Sequence, residues 1–201
     1  MKEAIEEKAT VLFFQRGFKN VTMDDLAMSM GISKKTLYSH FENKLDLVQR
    51  CAQRIFDQAC LEIENVKQHA EHPIQELYSV KSLVLKYFAN ETTSPIYQLQ
   101  KYYPEVYNHI KNQEYDRMGG LVKSSLEEGM ASNLFRDNID VDFVSRLYLI
   151  GTGGLRDIDF FPPSKYQIKQ VIENYLEYHL RAIVTPKGLE ILNQFIGNTQ
   201  T

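Results

Sequence analysis

The sequence predicts an all-α chain. Three observations carry that expectation. Apolar residues recur at three- and four-residue spacing along most of the length, whereas no stretch alternates apolar and polar residues as a half-buried strand does. Proline, glycine and small capping residues punctuate those stretches where helices start and stop. The composition, 201 residues with 43% hydrophobic and 24% charged, is that of a globular protein with room for one large or two modest domains.

Taken in order, residues 2–16 form an amphipathic helix with Ile5, Ala9, Leu12 and Phe13 on its stripe and Gly17 as its stop. Phe18 and Val21 follow in the link. A pair of short helices is expected over about 22–41. Thr22 and Asp25 make a capping arrangement, and Met23, Leu26, Ala27 and Met30 share a face. Gly31 suits a left-handed C-cap, Ser33 caps the second helix, and Leu37 and Phe41 point inward. Asn43 caps a long helix to about residue 70, and Pro73 opens another that carries Leu77, Tyr78, Leu83 and Phe88. Residues 90–94 are a polar loop. Pro95 and Pro104 each start a helix, since proline is tolerated in a first turn. The longer of the two runs towards Gly129 through a Gly119-Gly120 pair. Asp140 caps a helix over about 140–156, a turn DIDFFPPS follows, Ser164 caps a helix to about Val184, and Pro186 starts the last.

The two short helices carry the functional argument. A glycine-containing turn between helices of this length matches a helix-turn-helix. With Leu37 and Phe41 facing inward, Lys35 and Ser39 point outward and Thr36 and Tyr38 flank them. Lys34 and Lys35 sit in the first turn, where a helix start already attracts anions, so this face suits phosphates and the grooves between them. Net charge is −3, which by itself argues against general nucleic-acid affinity. Residues 1–54, however, hold nine basic and seven acidic residues, a net of +2, and the remainder therefore carries −5. A basic head on an acidic body has the sign that DNA binding requires.

The stretch GISKKTLYSHFENKLDLV resembles the recognition helix and following helix start of the tetracycline-repressor (TetR) family of bacterial regulators. The matching features are the Gly31 turn, Thr36-Leu37-Tyr38, His40-Phe41 and Asn43-Lys44. The resemblance implies an N-terminal three-helix DNA-binding domain over 1–50 and a C-terminal helical ligand-sensing and dimerisation domain over 51–201. It implies that Thr22, Tyr38 and Lys44 touch the DNA backbone. Ser33, Lys34, Lys35 and Thr36 would lie near base edges, Ser39 on the same face and His40 beside it. Met23 departs from the polar or basic residue that some members place there.

Two surfaces remain in the body. The helices over about 140–156 and 164–184 are apolar over more than one stripe, as buried or interfacial helices are. A homodimer is expected, because two heads on a twofold axis match a palindromic operator whose half-sites lie ~34 Å apart. Leu147, Gly151, Gly154, Val171, Ile172, Tyr175, Leu176 and His179 are its candidate residues. The resemblance also implies a cavity for a small hydrophobic or aromatic effector. Tyrosine gives apolar wall with a polar tip, and Tyr78, Phe88, Tyr97, Tyr102, Tyr103, Tyr107 and Tyr148 are the candidates.

Other classes fit less well. The alternative within the fold is control by a protein partner. An enzyme is not expected, because Glu127-Glu128 and Asp157/Asp159 have no arranged nucleophile, base and orienting group around them. No cofactor and no metal site are expected: His69 and His72 lack further ligands. Cys51 and Cys60, nine residues apart on one helix, would stand ~13 Å apart along it and cannot pair. No apolar run reaches ~18 residues, so no membrane partner is expected. The charged start MKEAIEEKATVLFF is unlike a signal peptide, which makes the cytoplasm the expected location.

Overall fold

A computed structural model describes residues 1–87, 95–155, 157, 159–162 and 164–197. Phe88, the polar loop over 90–94, and Ile158 and Pro163 of the 157–164 turn lie outside the described residues. Among those described the chain forms ten helices: α1 Lys2–Arg16, α2 Met23–Met30, α3 Lys34–Tyr38, α4 Lys44–His69, α5 Pro73–Tyr87, α6 Pro95–Tyr102, α7 Pro104–Ala131, α8 Val141–Gly154, α9 Ile168–Ile183 and α10 Pro186–Gly197. The β-structure among the described residues is a single antiparallel bridge, Phe135 to Val184.

Local chemistry sets most of the boundaries. Thr22 accepts from the Asp25 N–H at 3.1 Å while the Asp25 carboxylate accepts from the Thr22 N–H at 2.9 Å, a complete capping box. Gly31 ends α2 at φ 64°, a conformation that favours glycine. Asn43 caps α4 by accepting from the Asp46 N–H at 3.0 Å, and Asp140 caps α8 by accepting from Phe143 at 3.0 Å. Two boundaries differ from expectation. Ser164 does not cap α9: Lys165 and Tyr166 donate to the Pro162 carbonyl, so the chain turns there and reaches the helix only at Ile168, with Gln167 as its uncapped start. The α3 helix ends at Tyr38, because the amides of His40 and Phe41 both donate to the Leu37 carbonyl and tighten the last turn.

Packing divides the chain into two units, Met1–Leu61 with Tyr87–Gln113, and Glu62–Lys86 with Glu114–Thr201. The first has a core of Ile5, Phe13, Phe18, Val21, Leu26, Leu37, Phe41, Leu47 and Val48, into which α6 and the start of α7 send Leu99 and Val106. Phe13 and Phe18 lie 4.9 Å apart, tilted. Gln98 of α6, itself buried, accepts from the Lys19 N–H at 3.1 Å. Gly17, at φ 84°, leaves room for that side chain, whose Cδ lies 2.9 Å from where a Cβ would stand.

The second unit has its own core: Ile74, Leu126, Leu134, Phe135, Leu176, Leu180, Ile183 and Leu192. A buried polar network crosses it. Lys67 donates to the Ser125 hydroxyl at 2.7 Å, Ser125 donates to Glu76 at 2.7 Å, and Lys67 lies 3.4 Å from Glu76. Each charge in that network has a partner, as burial demands. The Gly119-Gly120 pair does not break α7, and a Cβ at Gly120 would meet nothing within 4 Å.

Candidate nucleic-acid interface

Leu37 is fully buried and Phe41 nearly so, which anchors α3 by one side and presents the other. Lys34, Lys35, Tyr38 and Ser39 are exposed; Thr36 and His40 are partly so. The outward set inferred from the helical wheel is therefore the accessible one. Its hydroxyls are held in place from within. Ser33 accepts from the Thr36 N–H at 3.0 Å and shares a 2.8 Å hydrogen bond with the Thr36 hydroxyl, and Ser39 donates to the Thr36 carbonyl at 2.7 Å. Because α3 has only five residues, its dipole is small. The ammonium groups, not the helix start, supply the positive potential.

The two lysines differ. Lys34 pairs with Asp24 of α2 at 2.6 Å, both side chains exposed, and the hydrogen bond from that pairing raises its pKa. Lys35 forms no salt bridge among the described residues and stands in solvent. Lys44, at the start of α4, donates to the Lys19 carbonyl at 3.0 Å, and partial burial lowers its pKa. Thr22 has both its N–H and its hydroxyl directed at Asp25, 2.9 and 2.6 Å away, which also lowers the Asp25 pKa. Its donors are thus committed to the cap. Met23, the departure from the family pattern, is buried in the core and faces no groove.

The tyrosines expected around an effector are dispersed. Tyr103 and Tyr107 pack against the core of the first unit. Tyr97 and Tyr102 accompany Lys101 at its surface. An open groove of about 290 Å³ in the same unit, lined by Thr10, Val11, Phe14, Gln15, Arg54, Ile55 and Gln58, contains none of them. In the second unit Tyr78 stacks on Phe195 at 5.0 Å, and Tyr148 lies 4.9 Å from His179 and 6.2 Å from Tyr175.

The α8–α9 pair separates into an inner and an outer face. Val171, Leu176 and His179 are buried within the protomer, and Ile172 and Tyr175 are partly buried. The Tyr175 hydroxyl donates to the carbonyls of Leu147 and Tyr148 at 3.2 and 3.1 Å, in the space that Gly151 leaves by having no side chain. Gly154 has nothing within 4 Å of an added Cβ. The apolar groups turned outward are Leu147, Tyr178 and two that periodicity did not single out as interfacial, Phe143 and Ile150; Phe143, Ile150 and Tyr178 are exposed by 61, 59 and 74%. Phe143, Leu147 and Ile150 follow i, i+4, i+7 spacing, a signal that was available in the sequence.

His179 also yields a measurable consequence. Burial lowers its pKa from 6.5 to about 4, so it is neutral in the folded protein at pH 7. Below about pH 6.5 the unfolded chain takes up a proton that the folded chain refuses until about pH 4. Stability is therefore lost as pH falls through that window, by on the order of 3 kcal/mol from this group. Melting curves at pH 7 and pH 4.5 should show a larger acid-induced drop for the native chain than for His179→Gln; equal drops would refute the assignment. Burial likewise pushes the Cys51 thiol up to about 12, and Cys60 is buried as well.

Comparison with known proteins agrees with this geometry. Residues 5–51 match the family model "Bacterial regulatory proteins, tetR family". The chain is 25% identical over 193 residues, 93% of its length and 92% of the relative's, to the HTH-type transcriptional repressor KstR2 of Mycolicibacterium smegmatis. It is 37% identical over 57 residues, 28% of the chain and 31% of the relative, to the biofilm operon icaADBC HTH-type negative transcriptional regulator IcaR of Staphylococcus aureus. Its fold is similar to that of the transcriptional regulator FadR from Bacillus subtilis in complex with stearoyl-CoA, with a TM-score of 0.65 at 17% identity over 90% of this chain and 98% of that one.

Proposed function

We infer that the chain, whose residues 5–51 match the model of the tetR family of bacterial regulatory proteins, is a sequence-specific transcriptional repressor. It holds a palindromic operator as a homodimer, in the cytoplasm, and a small hydrophobic or aromatic molecule releases it. The observation that carries the reading is the accessible side of α3, with Lys35, Tyr38 and Ser39 turned to solvent from a core fixed by Leu37 and Phe41. A rigidly seated short helix with polar, cationic residues outward fits a groove of duplex DNA. Two relatives named as a repressor and a negative regulator support the direction of control.

Functionally we assign residues 1–50 to reading DNA and 51–201 to sensing and dimerisation. The outward apolar row Phe143, Leu147 and Ile150 of α8, with Tyr178 of α9, supports the dimer. Apolar side chains in such a row favour a partner surface over water, at about 25 cal/mol per Å² removed from it. The 26-residue α4 begins in one unit and ends in the other. An effector that prefers a second body shape by the usual coupling energy, about 1–3 kcal/mol, would act on the head through that helix. The relative solved with stearoyl-CoA supports an effector of hydrophobic character.

Selection of bound sequences from random duplex DNA tests the reading: a palindromic consensus should emerge, and a pool that stays random after repeated rounds overturns it. Lys44→Ala should weaken binding to every duplex alike and lower the slope of log affinity against log salt by about one unit per head. An unchanged slope in a filter-binding salt titration would remove Lys44 from the interface.

A further inference from the structure

We propose that α6 extends the DNA interface beyond the helix-turn-helix, with Lys101, Lys19 and Lys44 forming a phosphate-binding patch around Tyr97 and Tyr102. The proposal rests on the DNA-binding reading and adds to it a contact from outside residues 5–51.

The patch is built around one ring. Lys19 Nζ lies 4.4 Å from the centre of the Tyr102 ring and Lys101 Nζ lies 5.6 Å from it. Two ammonium groups are thus gathered on the same aromatic side chain. Lys101 is held further by donating to the Tyr97 hydroxyl at 3.1 Å. Lys19 is held at three points: its N–H on the buried Gln98 at 3.1 Å, its carbonyl on Lys44 Nζ at 3.0 Å, and its own ammonium on Tyr102. Side chains fixed this way lose less conformational freedom when they meet a ligand.

They also differ from most of the paired cations in what holds them. Lys34, Lys67, Lys81, Lys123, Arg50 and Arg54 each lie within 4 Å of a carboxylate. Among the described residues no salt bridge joins Lys19, Lys44 or Lys101 to one; carbonyl, hydroxyl and ring faces hold them instead. Cations brought together on neutral acceptors repel one another until an anion arrives. The occupant is DNA backbone because of where the patch stands. Lys19 is three residues before Thr22, the cap of α2, and Lys44 opens α4, so two of the three lysines belong to the segments that flank α3 in the chain.

The test uses the selected duplex and full-length protein. Lys101→Gln should lower the slope of log affinity against log salt by about 0.9 per head. Lys19→Gln/Lys101→Gln should lose at least tenfold in affinity at 50 mM salt, with the preferred base sequence unchanged. Lys101→Arg should keep the native slope, and Tyr97→Phe should fall between. Trimming the duplex by one turn at each end should cost the native protein a similar factor and leave the double variant indifferent. Native slope and affinity in Lys101→Gln, on a duplex that the native chain still selects, overturn the patch and leave the reading of α3 standing. A native chain that selects no duplex overturns both.

Discussion

Lys35→Glu should abolish operator binding, with affinity falling about a thousandfold while the melting temperature stays within a degree of the native value. Lys35 is exposed and forms no salt bridge among the described residues, so nothing in the fold depends on its charge. In the complex proposed above it would meet a surface dense in phosphate. Losing one contact at a base edge or phosphate costs about 1–3 kcal/mol, and the reversed charge adds repulsion. A dimer carries the change twice, which brings the sum to about 4 kcal/mol, or a factor of about a thousand. Binding within tenfold of native, measured by fluorescence anisotropy on the selected operator, would place the groove-facing surface elsewhere. Lys34→Glu is the less clean experiment, because it also destroys the pair with Asp24.

Gly188→Ala should destabilise the second unit by about 3 kcal/mol, a fall of roughly 6–12 °C in melting temperature. Gly188 is buried in the first turn of α10, where an added Cβ would fall well inside contact distance of the Leu134 carbonyl oxygen and 3.1 Å from Val184 Cβ. That carbonyl cannot move aside freely. It accepts from the Thr185 N–H at 2.9 Å, beside the bridge joining Phe135 to Val184. The helix would have to leave its seat, and with it Leu192 its place in the core. Gly120→Ala gives the opposite sign: in the interior of α7, with open space around the new methyl, it should stabilise by up to about 1 kcal/mol. Thermal denaturation of the two variants side by side settles the matter; equal shifts would refute the packing argument.

What could be read from the sequence is what is decided within a few residues. The Thr22–Asp25 box, the left-handed Gly31, the Ser33 cap and the inward Leu37–Phe41 pair all rest on interactions spanning three or four positions, and all are present. The faces that depend on distant partners were harder. Leu99 and Val106 carry the same spacing as any core residue, and nothing local says that they complete the core under the DNA-binding helices. Val171, Leu176 and His179 look as interfacial as Phe143 or Ile150 until α8 is laid beside α9. Ser164 is a sound capping residue, but the turn through Pro162 spends the following amides before a helix can begin. The tyrosines illustrate the same limit, since composition counts them together while packing sends them to different neighbours.

The Lys34–Asp24 pair bears on how such a protein would search a chromosome. In the free head one of the two adjacent lysines is already spoken for by a carboxylate on α2. Meeting an arbitrary stretch of duplex, Lys34 can only trade one exposed anion for another, which gains little. On the repressor reading proposed above, a matching site would offer it a base edge as well, and the same exchange would become worthwhile. Such a tether would hold down stickiness toward random sequence and shorten each fruitless visit, leaving Lys35 to make the first approach.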